Sequence, residues 1–118
     1  MGQREVLIVD DDRQVRDVLH QIFLGAGYKC LLANDGQEGV EVFRTSIRDS
    51  RSPLTVTDLK MPIMGGIDLL QQVRQADPDA AVIVLTGAAD VKTAIASLKL
   101  GAYDFIMKPV NVDELLIA

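Results

Sequence analysis

The segment VLIVDDD, Val6–Asp12, decides the fold, because an apolar run ends there on three consecutive acids. Three later apolar runs also close on polar residues, which are Asp58, Thr86 and Lys108. If the four runs are neighbouring parallel strands, their polar endings meet at a single edge of the sheet. Clustered carboxylates repel one another unless a cation neutralises them. These endings therefore predict a site for a divalent metal ion and a phosphoryl group.

Strand and helix patterns alternate along the whole chain. Val15, Leu19 and Ile22 recur at helical spacing after the first strand, and Asp12 is placed to cap that helix. The predicted strands are about Glu5–Val9, Tyr28–Ala33, a third ending at Asp58, Val82–Leu85 and Asp104–Met107. Five strands alternating with helices predict an α/β domain with a parallel sheet covered on both faces. The commonest arrangement is a flavodoxin-like, doubly wound (βα)5 fold with strand order 2-1-3-4-5.

Composition excludes several classes of protein. The 118 residues suffice for one domain, and a hydrophobic content of 48% supports a packed core. A net charge of −5 argues against direct nucleic acid binding by this segment. No apolar stretch approaches the roughly 20 residues that cross a membrane, and the start lacks a signal-peptide pattern. Cys30 is the only cysteine, so no internal disulfide is possible, and its apolar neighbours predict a buried thiol. These features indicate a cytoplasmic protein.

Two of the acids after the first strand and the acid that ends the third can form a magnesium site. Asp10, Asp11 and Asp58 supply hard oxygen ligands of the kind that Mg²⁺ prefers. We expect Asp11 and Asp58 to be direct ligands and Asp10 to act through water, with the backbone carbonyl of Lys60 as a further ligand. The alternative is that the first three acids only cap the helix. Asp12 is better explained in that way, but one cap does not require three acids.

The remaining strand endings fit phosphoryl chemistry. Asp58 could attack a phosphorus centre to give an acyl phosphate, with the metal ion holding the attack in line. Lys108 would meet the phosphoryl group as a point charge, and Pro109 after it suggests a constrained turn or a cis peptide. Thr86 could donate its hydroxyl to a phosphoryl oxygen. Taken singly, each residue has an ordinary alternative. Asp58 could be an acid in a loop, Lys108 a surface lysine, and Thr86 a strand-end threonine hydrogen-bonded to the backbone.

With these residues identified, the chain resembles the receiver domain of two-component response regulators over nearly all of its length. Any one matching segment alone would be modest evidence, but their common order and spacing are highly specific. The matching segments are Leu7–Asp12, Thr57–Pro62, Leu85–Gly87 and Gly101–Pro109.

The resemblance implies a role in a phosphorelay. Asp58 would accept a phosphoryl group from a histidine kinase or a histidine phosphotransfer protein, with Mg²⁺ required. Thr86 and Tyr103 would form the switch, the hydroxyl moving toward the phosphoryl group and the ring turning inward behind it. The face formed by the fourth helix, fifth strand and fifth helix would then change its affinity for a downstream output domain or a second copy. Only self-phosphorylation and self-dephosphorylation are expected, so the domain is not expected to be an enzyme.

Three features qualify the resemblance. In the loop Ile63–Gly66, Gly65 stands where the family often has an acid, which is expected to loosen the loop without touching the metal ligands. The Thr45–Pro53 connection, a helix end plus a loop, looks a few residues longer than usual. The chain stops at Ala118, early in the last helix. Residues 1–118 are therefore interpreted as a receiver domain with a truncated C-terminal helix and its output domain absent.

Two other functions are weighed against the switch. A Mg²⁺-dependent phosphohydrolase could also use an aspartyl phosphate, but no Asp follows two residues after Asp58 and no insertion forms a substrate cap. A pseudo-receiver, binding partners without phosphate, is disfavoured because Asp11, Asp58, Thr86 and Lys108 are all intact.

Overall fold

The computed structural model describes residues 4–117, with the backbone alone for Ile117. Five strands and five helices alternate through this part of the chain. The strands are β1 (Glu5–Val9), β2 (Lys29–Ala33), β3 (Leu54–Asp58), β4 (Val82–Thr86) and β5 (Asp104–Met107). The helices are α1 (Arg13–Gly25), α2 (Gly36–Arg48), α3 (Gly66–Ala76), α4 (Val91–Lys99) and α5 (Val112–Ile117), and a short 3₁₀ turn, Ala88–Asp90, precedes α4.

The strands form one parallel sheet in the order β2-β1-β3-β4-β5, which confirms the predicted flavodoxin-like topology. The order reverses between β1 and β3, and such a switch point opens a crevice at the carboxyl ends of the strands. Val9 of β1 pairs with Thr57 of β3, so the residues that follow them, Asp10 and Asp58, leave the sheet side by side. Thr86 ends β4 opposite Met107 of β5, which brings Lys108 to the same edge.

Two apolar layers hold this sheet, one on each face. Successive side chains of a strand point to opposite faces, and β1 accordingly contributes to both layers. Leu7 packs with Phe43 of α2 and with α3, whereas Ile8 packs with Phe23 of α1 and Leu115 of α5. Each of these large side chains contributes about 1.5–3 kcal/mol when it is fully removed from water. The strand ends are therefore fixed by a core that lies away from the polar edge.

The helix starts position the loops at that edge. Asp12 Oδ1 accepts hydrogen bonds from the backbone N–H groups of Gln14 at 2.9 Å and Val15 at 3.4 Å, which confirms the expected cap of α1. The start of α3 lies directly against the end of β3. A Cβ on Gly66 would lie 2.5 Å from the carbonyl oxygen of Asp58, so only glycine permits this approach.

One expectation, the buried thiol of Cys30, needs correction. The Cys30 thiol is half-buried, because β2 lies at the edge of the sheet and is only partly covered. Burial still raises the pKa of the thiol above its ordinary value. The Thr45–Pro53 connection is a helix end plus a loop, as predicted, since α2 continues to Arg48 and residues 49–53 link it to β3.

Within residues 4–117, no helix combines the length and the apolar character needed to span a membrane.

Candidate functional site

Asp10 is a buried carboxylate with one unused oxygen. It follows β1 directly, and its side chain is 0% exposed. Its Oδ1 atom accepts a hydrogen bond from the Asp12 N–H at 2.9 Å. Among the described residues, Oδ2 has no hydrogen-bond partner, and the Lys108 ammonium lies 3.5 Å away. Burial raises the pKa of Asp10, the Asp12 N–H lowers it, and the charge of Asp58 raises it further, with a net rise. An oxygen in this position can take a further ligand.

Asp58 and Lys108 form an ion pair at the centre of the edge. Asp58 Oδ1 lies 3.1 Å from Lys108 Nζ and also accepts a hydrogen bond from the Leu59 N–H at 2.9 Å. The side chains are 14% and 29% exposed, so the pair is partly covered but can be reached from solvent. Burial lowers the pKa of Lys108, but the contacts with Asp58 and Asp10 outweigh it and the net pKa is raised. Lys108 is therefore an ammonium ion at neutral pH.

Asp10, Asp11 and Asp58 together could hold a cation. One carboxylate oxygen from each lies within 4.8 Å of the other two, and Asp11 is the exposed member. Three acids face one ammonium, which leaves an excess of negative charge. Hard oxygen donors, an unpaired buried oxygen and excess negative charge fit a hydrated Mg²⁺ ion. Lys60 lies two residues beyond Asp58, where its carbonyl is a candidate for a further ligand.

The two residues expected to form the switch lie apart. Thr86 is buried, and its hydroxyl donates a hydrogen bond to the Gly87 carbonyl at 3.1 Å. Tyr103 is 64% exposed, and its N–H donates to the carbonyl of Val82, at the opposite end of β4. Four strand positions correspond to about 13 Å, which is longer than a tyrosine side chain. The register therefore does not support a direct Thr86–Tyr103 pair.

Phe105 is the aromatic residue on β5 that lies nearer to Thr86. It pairs with Val84, two residues before Thr86, and alternation along the strands puts all three side chains on one face of the sheet. Phe105 is half-buried and packs against the core cluster on that face. The resemblance led to Tyr103 as the aromatic residue of the switch, whereas the strand register favours Phe105.

Two further charged residues at this edge, Arg16 and Asp90, were not identified from the sequence. The Arg16 guanidinium donates a hydrogen bond to the backbone carbonyl of Asp10 at 2.8 Å, and so ties α1 to the loop that carries the acids. Lys60 Nζ lies 2.9 Å from Oδ1 of Asp90, in the turn before α4. Arg16 follows Asp12 by one helical turn, which could have indicated it. Nothing local in the sequence joins Lys60 to Asp90.

Comparisons with known proteins agree with this geometry. A family model described as "Response regulator receiver domain" matches residues 6–118. The transcriptional regulatory protein ZraR of Klebsiella oxytoca is 34% identical over 113 residues, which are 96% of this chain and 25% of that protein. The DNA-binding transcriptional regulator NtrC of Klebsiella pneumoniae is 36% identical over 107 residues, 91% of this chain and 22% of that protein. The chain thus spans about a quarter of the length of these curated relatives.

Solved structures give the same result at the level of the fold. A response regulator receiver domain protein from Clostridium thermocellum superimposes with a TM-score of 0.89 at 32% identity, covering 97% of this chain and 89% of that one. CheX–CheY–BeF3–Mg²⁺ from Borrelia burgdorferi gives a TM-score of 0.89 at 30% identity, covering 97% and 84%. The family match over residues 6–118, these relatives and the sheet order lead to one conclusion, that the chain belongs to the response regulator receiver domain family.

Proposed function

We propose that this receiver domain accepts a phosphoryl group on Asp58 from a histidine kinase or a histidine phosphotransfer protein, as one step of a two-component phosphorelay. The observation that carries the proposal is the Asp58–Lys108 pair at 3.1 Å beside the buried, partly unpaired carboxylate of Asp10. This arrangement combines a nucleophilic oxygen, a fixed cation and an excess of negative charge that a metal ion would balance.

The transfer step follows from the contacts of Asp58. Oδ1 is held by Lys108 and by the Leu59 N–H, which leaves Oδ2 to attack the phosphorus. A P–O bond to Asp58 forms as the P–N bond to the donor histidine breaks, and the imidazole leaves with the electron pair and takes up a proton. Lys108 stabilises the charge on the phosphoryl oxygens. Mg²⁺, held by Asp11 and Asp58 directly, Asp10 through water and the Lys60 carbonyl, would supply further charge neutralisation.

A protein donor is supported by a groove beside the site. The groove has a volume of about 320 Å³, and Lys108 lines it together with Val15, Val18, Pro109 and Val110. Val18 is 55% exposed on α1, so an apolar helix carrying the donor histidine could pack there while it delivers phosphate to Asp58. Val18→Asp is expected to slow transfer from a histidine phosphotransfer protein and to leave transfer from acetyl phosphate unchanged. An equal loss with both donors would contradict this role.

The switch in this proposal starts at Thr86. Its hydroxyl donates a hydrogen bond to the Gly87 carbonyl in this structure. On phosphorylation the hydroxyl would turn to the phosphoryl group, and this movement of Thr86 would leave space on the inner side of β4. Of the two aromatic residues, the register favours Phe105 over Tyr103 as the ring that moves into this space. Phosphate need only favour a pre-existing active arrangement, since a ligand shifts such an equilibrium through its differential affinity for the two states.

The output surface is the face of α4, β5 and α5. Its exposed apolar side chains are Ile95, Leu98, Tyr103, Met107, Val112 and Leu116. Such a patch suits a protein partner, which we propose to be a downstream output domain or a second copy of the chain. The greater length of the relatives supports an output domain. Because the net charge is −5, we do not expect this segment itself to bind nucleic acid. The proposed compartment is the cytoplasm.

A second function of a different class is less well supported. A phosphohydrolase needs an acid–base group to release many substrate molecules, but Lys60 occupies the position two residues after Asp58. The proposed chemistry is therefore self-phosphorylation and self-dephosphorylation without turnover of an external substrate.

One experiment tests the proposal. The protein is incubated with Mg²⁺ and acetyl phosphate, and its intact mass is measured before and after treatment with hydroxylamine. We expect a gain of one phosphoryl group that hydroxylamine removes and that Asp58→Asn abolishes. Asp68→Asn, an exposed acid in the first turn of α3, is the matched control and should be phosphorylated normally. No gain in mass would refute the proposal, and rapid turnover of many phosphate esters would favour the hydrolase.

A further inference from the structure

An ion pair joins the two loops that flank the phosphoacceptor. Lys60 follows Asp58 by two residues, and Asp90 follows Thr86 by four. Lys60 Nζ and Asp90 Oδ1 are 2.9 Å apart, although the Lys60 side chain is 76% exposed and that of Asp90 only 21%. The pair therefore connects the end of β3 to the start of α4, across the edge at which the phosphoryl group would be added.

Asp90 lies at the N-cap position of α4 but does not cap the helix. In the part of the chain that the structure describes, its side chain makes no hydrogen bond to the first turn. Asp12 and Asp35, at the equivalent positions of α1 and α2, both accept such bonds. Aspartate is among the preferred N-cap residues because its oxygen satisfies a free N–H of the first turn. The carboxylate of Asp90 is thus held by Lys60 when it could serve the helix.

We propose that Lys60 and Asp90 form a clasp that phosphorylation of Asp58 opens, with Lys60 becoming a second ammonium beside the phosphoryl group, after Lys108, and Asp90 becoming the cap of α4. The inference rests on the proposed function of Asp58. It assigns a phosphoryl-binding role to the side chain of Lys60, and it couples the site to α4, which forms part of the proposed output surface.

Charge gives the direction of this exchange. A phosphoryl group on Asp58 brings a charge of about −1.5 to −2 at neutral pH, compared with −1 on Asp90. Lys108 already contacts both Asp10 and Asp58, so the added charge calls for another cation. Lys60 is two residues away on a flexible, mostly exposed side chain, and can turn from one anion to the other. While Lys60 holds Oδ1 of Asp90, the Asp90 side chain makes no hydrogen bond to the first turn among the described residues, so the structure shows the ion pair without the cap.

The clasp biases the start of α4 and does not lock it. Ion pairs that are largely exposed contribute little, and the loss of this one should shift the local equilibrium by about threefold to fivefold. A shift of this size changes the population of two states without preventing either.

The test measures amide hydrogen exchange by NMR at Lys92 and Thr93, whose N–H groups a capping Asp90 would engage. The protein is studied alone and after loading with beryllofluoride and Mg²⁺, which imitate the phosphoryl group. In the unmodified protein, loading should slow exchange at these two amides by about threefold to fivefold. An unchanged exchange rate on loading would overturn the clasp.

Three variants separate the clasp from general effects on α4. Lys60→Gln should show slow exchange before loading, with little further change, because Asp90 is already free to cap. Asp90→Ala should show fast exchange in both states. Lys99→Gln removes an exposed cation from the last turn of the same helix and should behave like the unmodified protein. Fast exchange in unloaded Lys60→Gln would also overturn the clasp.

Intact mass after acetyl phosphate distinguishes the two proposals. If Asp58 gains a phosphoryl group but exchange in α4 does not respond, only the clasp fails. If the unmodified protein gains no phosphoryl group, the proposed function fails and the phosphorylation-driven clasp fails with it.

Discussion

The two edges of the sheet differ in how many cations lie close to their acids. At the carboxyl edge, Asp10 and Asp58 share one ammonium, that of Lys108, and a buried oxygen of Asp10 has no hydrogen bond within residues 4–117. At the amino edge, Glu5 has two cations, with Arg51 at 2.7 Å and Lys29 at 3.7 Å, and Arg51 also pairs with Asp49 at 3.2 Å. A cavity of about 490 Å³ opens at the amino edge and is larger than the groove beside Lys108.

Charge balance, and not cavity size, therefore distinguishes the edge that carries the proposed site. Acids whose charges are balanced within the fold stabilise it, as Glu5 does by joining β1 to the loop before β3. Acids left in excess cost free energy in the absence of a ligand and supply affinity when a cation arrives. The predictions below test this contrast.

The largest effect is expected at Lys108. Lys108→Met removes the only ammonium within 4 Å of Asp10 and Asp58 among the described residues. The rate of Asp58 phosphorylation by acetyl phosphate should fall by about 10²–10³-fold, as for other groups that stabilise developing charge. Intact mass over time measures this rate. Lys92→Met, on the exposed surface of α4, is the control, and an equal loss there would contradict a specific role.

Asp10→Asn should weaken metal binding but stabilise the magnesium-free protein. Affinity for Mg²⁺, measured by calorimetry, is expected to fall about 10–100-fold, the usual loss for a group that orients metal ligands. Unfolding in urea without Mg²⁺ should show a gain of about 1 kcal/mol, because a carboxylate in a like-charged cluster is removed.

The pH dependence of that gain has a defined sign. The pKa of Asp10 is raised in the fold, so the folded state binds its proton more tightly than the unfolded state does. Ionisation of Asp10 therefore costs stability as pH rises from its ordinary value of 3.8 through the raised one. The advantage of Asp10→Asn should grow across this window and stay constant above it. A gain that shrinks as pH rises would contradict the assignment.

The same change of acid to amide at the other edge should have the opposite sign. Glu5 is only 9% exposed, and Glu5→Gln would remove the charge that Arg51 and Lys29 share. We expect a loss of about 1 kcal/mol in urea unfolding, at the upper end for exposed ion pairs. Phosphorylation of Asp58 should be unchanged. A stabilised Glu5→Gln, or one that is not phosphorylated, would end the contrast between the edges.

The smallest effect is expected for Ser52→Ala. The Ser52 hydroxyl donates to the Asp77 carboxylate at 2.5 Å, and this bond together with the Asp79 N–H lowers the pKa of Asp77. The variant should raise the Asp77 pKa toward its ordinary value, as followed by NMR titration. A lowered pKa contributes stability that is present above pH 3.8 and is lost as pH falls through the lowered value. Because the group is exposed, the change in stability should stay within about 0.5 kcal/mol.

Local patterns were sufficient for the strands and for most of the site. A run such as Val6–Val9 is buried on both sides of a parallel sheet, and that requirement is visible in its residues alone. The acids at the ends of β1 and β3 were predicted to converge because parallel strands bring their carboxyl ends to one edge. The cap at Asp12 could also be predicted from local sequence, since its hydrogen bonds reach only three residues along the chain.

The sequence did not indicate which aromatic residue lies nearer to Thr86, and the reason is physical. The register between β4 and β5 is set by how both strands pack on the helices, and no local pattern records it. Only with that register does Phe105 become the aromatic nearer to Thr86.

The sequence by itself therefore determined the fold class and the acidic edge that carries the proposed phosphoacceptor, because burial and chain direction act through neighbouring residues. The tertiary structure alone decided which distant charges meet. It brought Lys60 to Asp90 and Lys108 to Oδ2 of Asp10, because contacts across 30 or more residues depend on packing that a local pattern does not encode.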